Sequence, residues 1–561
     1  MAAEDRGLFK GTLGGGSAGC VIANRLSADP QVTVLLLEAG GLETASRQIP
    51  AVAPFNTRGH DDWDYWSVPQ KNAAFSYREQ RFSISRGKVL GGTSVLNYMY
   101  YTRGHSRDFD RWATEYGAKG WSYEDVLPHF RDIEDYRVER PDEYHGTGGE
   151  VPVDYANTTT LLSQLLLEAC SQAGFPYVDF NGPAQSVKCY LSDFLIVESA
   201  KLYCRCLLLR RRRFQSLTRT NRVVTETQVN FDGKRATGVT FSRFGKQQTV
   251  SAGREVILSA GTVGSTQLLL LSGVGPREEL ERLQIPVVAD LPVGRNLQDH
   301  VALLIGIPIK TDAAAGIPPF SLDDVAQYAS NRNGTISIPA GGEFMQFVHT
   351  DHGTDPEIPD IELAALARAE NCFLSISSSQ AFDNYIGPTN GQPGFRVAAI
   401  LNRPKSRGSI SLRSTDPNEH PDIDEGIFNH PDDVKAAAQG AKKFIDLMLN
   451  TEAMRSIGAK PWNITFPPCA EAGSLWTQEY IECLFRHLGQ PVWHICCTAA
   501  MGTHPGAVVD ERLRVRGEVT GLRVADASVM PDIVSGHTNA PSMMIGSKAA
   551  AMITEDHAGS P

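Results

Sequence analysis

The chain has 561 residues, a formal net charge of −11 and an isoelectric point near 5.7. It exceeds the size at which one hydrophobic core keeps growing, so two or more domains are expected. The acidic balance argues against nucleic acid or an anionic membrane as the main partner, and no apolar run is long enough to span a bilayer.

The first forty residues have the pattern of a dinucleotide-binding βαβ unit. Gly14, Gly16 and Gly19 stand at GxGxxG spacing, before apolar residues at helical spacing and a strand-like run that ends at Glu38. The first glycine permits a tight turn, the second lets a pyrophosphate approach bare backbone, and the third lets the helix pack close to the strand. Glu38 falls where an acid binds ribose hydroxyls. The pattern predicts an α/β, Rossmann-like domain.

One feature of this unit argues against a dinucleotide site. Residues 8–13 are expected to form the first strand, but they include Lys10 and Gly11. A buried parallel strand favours apolar residues at such positions.

A second glycine loop lies at Gly91-Gly92, followed by Thr93, Ser94 and, further on, Asn97. Its bare backbone predicts close approach of a ligand. The alternative is a loop that only turns the chain, since Gly-Gly-Thr-Ser also suits a helix cap.

This loop, with Arg86 before it, resembles the first signature of the glucose-methanol-choline (GMC) flavin oxidoreductases. Further segments are similar to that family's motifs in the same order along the chain, and the likeness is greatest to arthropod glucose dehydrogenase-like and choline dehydrogenase-like members. These segments are residues 259–276, 293–300, 522–531 and 535–541.

The resemblance implies that the chain binds FAD. It also implies which residues bind the cofactor, including Val224 through its backbone. These residues are Gly14, Gly16, Ser17, Ala18, Gly19, Glu38, Ala39, Arg86, Gly91, Gly92, Thr93, Ser94, Asn97, Val224, Ala260, Gly261, Asp526, Ala527, His537 and Thr538.

The predicted organisation has three parts. Residues 1–300 form the FAD-binding domain, with an excursion at about 42–85 and a divergent segment at about 185–220 that we interpret as a local insertion or a sequence error. Residues 301–484 form a substrate-binding domain, an antiparallel sheet covered by helices (α+β). Residues 485–561 return to the FAD-binding domain.

The resemblance implies that His494 is the catalytic base and His537 its partner. A histidine suits this task because its ordinary pKa of about 6.5 leaves it largely neutral and ready to accept a hydroxyl proton. The expected substrate is a small alcohol such as a sugar or choline. The expected electron acceptor is dioxygen, a quinone or a dye.

Two other functions are open at this point. Some relatives keep FAD as a scaffold and act as lyases, and a flavin-binding protein without turnover is a further alternative. Cys497 favours the latter, because it stands where relatives usually have glycine and a side chain there is expected to crowd the flavin. Cys496 and Cys497 are either a redox pair or, more in keeping with ordinary cysteine burial, two inert thiols.

Ten cysteines in so long a chain do not indicate a disulfide scaffold, and no metal site is predicted. Cys469 and Cys483 are either a disulfide or two buried thiols. The first residues lack the apolar core of a secretory signal, so the protein is expected to be cytoplasmic, or extracellular if a signal peptide precedes this chain. The sequence makes no prediction of the oligomeric state.

Overall fold

The computed structural model describes residues 9–138, 142–156, 158–175, 177–183, 188–191, 194–195, 215–216, 224–310, 321–353, 355–367, 385, 387–389 and 392–558. The strands in these ranges, in chain order, are β1 (Phe9–Leu13), β2 (Thr33–Leu37), β3 (Tyr65–Trp66), β4 (Ser83–Ile84), β5 (Glu134–Tyr136), β6 (Val151–Asp154), β7 (Lys188–Leu191), β8 (Phe194–Leu195), β9 (Gln215–Ser216), β10 (Val224–Asp232), β11 (Arg235–Arg243), β12 (Lys246–Ser251), β13 (Val256–Leu258), β14 (Val274–Gly275), β15 (Ala289–Asp290), β16 (Val301–Pro308), β17 (Gly342–Val348), β18 (Ile361–Leu366), β19 (Gly394–Leu401), β20 (Ser409–Ser411), β21 (Asp422–Asp424), β22 (Gln490–Pro491) and β23 (Leu522–Val524).

The α-helices in the same ranges are α1 (Ser17–Leu26), α2 (Ser106–Thr114), α3 (Tyr123–Ile133), α4 (Leu161–Gln172), α5 (Gly261–Leu271), α6 (Arg277–Arg282), α7 (Leu322–Asn331), α8 (Pro431–Asn450), α9 (Glu452–Ser456), α10 (Gln478–Leu488) and α11 (Asn539–Asp556). Of these helices, none is both long and apolar enough to cross a membrane.

A five-stranded parallel sheet forms the centre of the first domain, in the order β23-β13-β1-β2-β9. β1 pairs with β2 on one side and with β13 on the other, so it is a central strand although it contains Lys10 and Gly11. The objection to the predicted βαβ unit is therefore wrong. Helix α1 packs against α11, and both bury apolar residues in the largest core cluster of the described chain.

A six-stranded antiparallel sheet forms the second domain, in the order β22-β16-β19-β18-β17-β7. Successive side chains of a strand point to opposite faces. One face packs under helices that include α8 and α10, and carries Leu303, Val397 and Leu363. The other face carries Ala302, Ala364 and Ala398 and turns toward the parallel sheet's domain through Tyr100. The predicted α/β fold with an α+β substrate domain is confirmed.

The chain passes between the two domains at more points than the three predicted segments imply. β7 comes from the divergent segment and pairs with β17, and β22 from the C-terminal segment pairs with β16. β9 lies at the edge of the parallel sheet beside β2. Most of the divergent segment lies outside the described residues, so the insertion hypothesis and the domain limits stay predictions.

The fold also settles one alternative that the sequence left open. Cys469 and Cys483 form a disulfide, which decides between the two alternatives for that pair.

Candidate active site

The turn after β1 has the conformation that the GxGxxG spacing predicts. Gly14 has a φ of +95°, and a Cβ added there would lie 2.4 Å from the carbonyl oxygen of Ser259. A Cβ on Gly19 would lie 2.0 Å from the carbonyl oxygen of Gly14. Both distances are far below van der Waals contact. Helix α1 can therefore pack on this turn only because Gly19 is bare, and the end of β13 can approach it only because Gly14 is bare.

Gly16 is bare for a different reason. A Cβ there would have no neighbour nearer than the Cα of Gly92, at 3.9 Å, and Gly16 lines a cavity. The N-terminus of α1 therefore faces open space, where free N–H groups and the helix dipole favour an anion. Gly92 has a φ of +56°, and a Cβ on it would lie 2.7 Å from the Cα of Gly16. The two predicted glycine loops thus pack directly on one another.

A cavity of about 480 Å³ extends from these loops to a pair of histidines. Most of the predicted site residues line it. They are Gly14, Gly16, Ser17, Ala18, Glu38, Ala39, Arg86, Gly92, Thr93, Asn97, Ala260, Gly261, His494, Asp526, Ala527, His537 and Thr538.

Three other predicted residues, Gly19, Gly91 and Ser94, support this lining. Gly19 packs under the first turn, as above, and Gly91, with a φ of +105°, leads the chain into Gly92. Ser94 Oγ lies 2.6 Å from Ser17 Oγ and donates to Asn539 Oδ1 at 2.8 Å. Val224 is the first residue of β10, and its contact with adenine stays a prediction.

Two lining carboxylates hold the glycine turns. Glu38 accepts backbone N–H bonds from Gly15 and Gly40, each at 2.7 Å. Asp526 accepts from the backbone N–H of Gly261 at 3.0 Å and from the Ser265 hydroxyl at 2.5 Å. Burial raises the pKa of Glu38 to about 7 and raises that of Asp526, while these hydrogen bonds act in the opposite direction.

The two predicted catalytic histidines meet at the other end of the cavity. His494 Nε2 lies 3.0 Å from His537 Nδ1, and the rings are nearly perpendicular. Each ring has a second partner that the sequence did not point to. His537 Nε2 lies 3.0 Å from Glu362 Oε1, and His494 Nδ1 lies 2.9 Å from His300 Nδ1.

The surroundings of His494 and His300 keep these two rings neutral. Burial, followed by the nearby His537 and His300, lowers the pKa of His494 well below its ordinary value. Burial also lowers the pKa of His300 to about 3. A neutral imidazole has one bare nitrogen, so His494 is chemically able to accept a proton at physiological pH.

One carboxylate positions the backbone that carries two of the three rings. Asp299 Oδ1 accepts from the backbone N–H of His494 at 2.6 Å and from that of His300 at 2.8 Å. Arg86 donates to the carbonyl oxygen of Trp493. Burial raises the pKa of Asp299 to about 7, and the positive charge of Arg86 opposes that shift.

These features fit an extended molecule with two phosphates and a planar ring system. Side-chain-free turns approach one part of the cavity, the N-terminus of α1 faces it, and the histidine pair closes its far end. The fit agrees with FAD, in which a pyrophosphate separates the adenosine from the flavin ring.

Comparison with known proteins decides the family. Family models described as GMC oxidoreductase match residues 12–302 and 404–546. A glucose dehydrogenase (FAD, quinone) of Drosophila melanogaster is 36% identical over 552 residues, which is 96% of this chain and 86% of the relative. An oxygen-dependent choline dehydrogenase of Burkholderia thailandensis is 35% identical over 559 residues, which is 96% of this chain and 92% of the relative.

The chain belongs to the GMC oxidoreductase family. Solved structures agree with this assignment. An FAD-dependent oxidoreductase from Chaetomium thermophilum superposes with a TM-score of 0.82 at 26% identity and covers 99% of this chain and 100% of its own. An Aspergillus oryzae formate oxidase superposes with a TM-score of 0.84 at 26% identity, with the same coverage.

This GMC oxidoreductase is an FAD-dependent oxidoreductase, and FAD is its cofactor. The residues that we expect to hold FAD are those of the two glycine loops, with Glu38 and Asp526 behind them.

Cys497, which stands where relatives of this GMC oxidoreductase usually have glycine, does not line the cavity, and neither does its neighbour Cys496. Both cysteines are fully buried. Cys497 adopts a φ of +77°, in the region that favours glycine, and its Sγ lies 2.8 Å from that of Cys496. The Cys497 side chain therefore does not line the cavity in which FAD is expected, which argues against the expected crowding of the flavin.

Sequence reasoning missed Glu362 and His300 as partners of the histidine pair. Glu362 carried a signal, because it is an acid within the otherwise apolar run of β18. A buried acid in such a strand requires a polar partner. His300 lies in a family-like motif, but nothing in the sequence places it against His494.

Proposed function

We propose that this GMC oxidoreductase oxidises the CH–OH group of a primary or secondary alcohol, with His494 as the base and His537 orienting the hydroxyl. The observation that supports this most directly is the 3.0 Å contact between the two imidazoles at one end of the cavity. Bound FAD supplies the hydride acceptor for the oxidation.

Glu362 determines which ring nitrogen of His537 carries a proton. A carboxylate oxygen only accepts hydrogen bonds, so the ring nitrogen that faces it, Nε2, carries a proton. A neutral His537 then presents a bare Nδ1 to His494. His537 can accept a hydrogen bond there but does not give up its Nε2 proton.

His300 takes part in the same arrangement. In the base-competent state His494 holds its proton on Nδ1 and donates it to His300 Nδ1, 2.9 Å away. The Nε2 of His494 is then bare beside the bare Nδ1 of His537. The bare Nε2 of His494 accepts the proton of the substrate hydroxyl, and His537 Nδ1 can then accept a hydrogen bond from the protonated ring.

The named relatives support an alcohol as the donor. Glucose dehydrogenase and choline dehydrogenase both act on alcohols by name, and their names give a quinone or oxygen as the electron acceptor. We propose the same choice of acceptor for this protein. Hydrogen peroxide release in air, compared with reduction of a quinone under argon, measures which acceptor it uses.

The test is an anaerobic spectrum of the purified holoenzyme. An alcohol that is a substrate is expected to bleach the flavin absorbance, and His494→Ala is expected to lower kcat/KM by about 10²- to 10⁴-fold while the flavin stays bound. His129→Ala is the matched control, because His129 also has a lowered pKa but bonds to Ser547 and lies outside the cavity lining.

Each alternative has its own result. Bleaching that His494→Ala leaves unchanged would remove this residue from the role of base. Aldehyde released without flavin reduction would identify a lyase. Bound flavin that no alcohol of a broad panel reduces would identify a protein without turnover.

A further inference from the structure

The helix-free face of the six-stranded sheet forms one wall of the cavity, and this wall is made of alkyl side chains. It is built by alternate residues of three adjacent strands, all of which line the cavity. The wall residues are Ala302 and Leu304 from β16, Ala364 and Leu366 from β18, and Ala398 and Ile400 from β19.

The strand register places this alkyl wall beside the histidines. Ile400 pairs with Ala302 on one side and with Glu362 on the other. Glu362 is the residue whose Oε1 lies 3.0 Å from His537. The next row of the sheet places Ala398 between Leu304 and Ala364. The body of an alcohol whose hydroxyl reaches the histidines therefore lies against alkyl groups.

In the described cavity lining, the carboxylates are at the cofactor end and not on the alkyl wall. The acidic residues in it are Glu38 and Asp526, and both bind N–H groups of the glycine turns. Glu362 is on the same face of the sheet, in the row of Ile400, but it is buried and its carboxylate is engaged by His537. Arg396, next along β19, is also buried and lies outside the lining. The wall thus offers neither an anion for a quaternary ammonium nor a set of partners for several hydroxyls.

We infer that the substrate is an apolar primary or secondary alcohol, whose hydrocarbon body packs on the alkyl wall, in contrast to sugar or choline. This inference rests on the proposed function. Burying alkyl groups against alkyl groups is favourable, whereas burying a hydroxyl without a partner is costly and burying an unpaired cation more so. His494 and His537 are assigned to the reacting hydroxyl itself, and the six wall residues offer no further donor or acceptor side chain.

The test compares alcohols of equal shape on the holoenzyme. Choline is matched by 3,3-dimethylbutan-1-ol, which replaces the ammonium nitrogen by carbon, and glucose is matched by cyclohexylmethanol. We expect kcat/KM for flavin reduction to be at least about tenfold higher for the apolar member of each pair. Higher values for choline or glucose would overturn the inference and leave alcohol oxidation standing.

Leu304→Asp places a carboxylate on the alkyl wall at a half-buried position. The ratio of kcat/KM for choline to that for 3,3-dimethylbutan-1-ol is expected to rise at least about tenfold. Leu322→Asp is the control, since Leu322 is 87% exposed and outside the lining. An unchanged ratio in a Leu304→Asp enzyme with a normal flavin spectrum would contradict the inference.

A binding measurement separates this inference from the proposed function. Titration of the oxidised flavin spectrum gives a dissociation constant for each alcohol whether or not turnover follows. If no alcohol reduces the flavin, the proposed function fails, yet tighter binding of the apolar member of each pair still supports an apolar site. Equal or tighter binding of choline and glucose overturns the alkyl-wall assignment.

Discussion

The two ends of the cavity are built by different parts of the polypeptide. The cofactor end consists mainly of backbone, at glycine turns whose residues are close together in sequence, such as Gly14, Gly16 and Gly19. The substrate end consists of side chains from strands far apart in sequence. Ala302, Ala364 and Ala398 meet there only because the antiparallel sheet pairs their strands.

This difference explains how each end achieves selectivity. A backbone cradle binds what every FAD has in common, a pyrophosphate, and any added side chain fills it. A wall of side chains can change its chemistry at one position without disturbing the hydrogen bonds of the sheet, which are made by the backbone. Substitutions at the cofactor end should therefore abolish FAD binding, whereas substitutions at the substrate end should change the rate or the choice of substrate and leave FAD bound.

The largest expected effect is at the cofactor end. Gly16 has a φ of −84°, which any residue adopts, and a Cβ there meets nothing within 3.9 Å. Gly16→Val is thus expected to fold but to place methyl groups where the pyrophosphate lies. Bound FAD, measured by absorbance after gel filtration, is expected to fall below about a tenth of the wild-type amount, a loss of roughly 100-fold in affinity.

Gly41→Val is the matched control for this substitution. A Cβ on Gly41 also meets nothing within 4 Å, but Gly41 does not line the cavity. Its FAD content should equal that of the wild type. Full FAD content in Gly16→Val would contradict the assignment of this turn to the pyrophosphate.

The same contrast determines what the sequence predicts well. The spacing of Gly14, Gly16 and Gly19 predicts the turn and helix α1 because each glycine's role depends on neighbours in the same short segment. The contact between His494 and His537 followed only from the resemblance to a family, since these residues are on separate loops. His300 and Glu362 were missed because their partners are set by strand register and loop packing, which leave no local pattern.

A smaller effect is expected at the substrate end, from His300. His300→Leu removes the acceptor for the Nδ1 proton of His494, and leaving a buried donor unpaired costs about 1–3 kcal/mol, or roughly 5- to 150-fold in kcat/KM. His300→Asn keeps an amide oxygen that can accept the proton, so its loss should be less than about fivefold. Stopped-flow reduction of the flavin measures both.

The pair of His300 variants separates orientation of His494 from simple packing. If His300 only filled space, Leu, which is of similar size, would preserve the rate as well as Asn does. Melting temperature and FAD content are recorded for both variants, because a packing defect lowers these in parallel with activity. Equal rates for His300→Leu and the wild type would rule out a role in setting the His494 proton.

The smallest expected effect is a shift in pH dependence. The pKa of His494 is lowered, first by burial and then by His537 and His300, so His494 stays unprotonated and able to act as a base at pH values below its ordinary range. With an alcohol that does not titrate, kcat/KM should hold its plateau as the pH falls through 6.5 and decline only further below. A decline centred at or above 6.5 would contradict the burial of this base.

His537→Asn sharpens this prediction because it removes one cause of the lowered pKa of His494 and keeps the others, which are burial, His300 and Arg86. Without a second imidazole to repel its charge, the pKa of His494 should rise, and the acid limb of kcat/KM should move to higher pH even though the rate itself is lower. Unfolding also takes up protons at acid pH, since buried neutral histidines regain their ordinary pKa in the unfolded chain. Circular dichroism at each pH therefore has to show a folded protein before a decline is assigned to the base. An acid limb that does not move in His537→Asn would mean that His537 does not lower this pKa, and would leave burial, His300 and Arg86 as the causes of the shift.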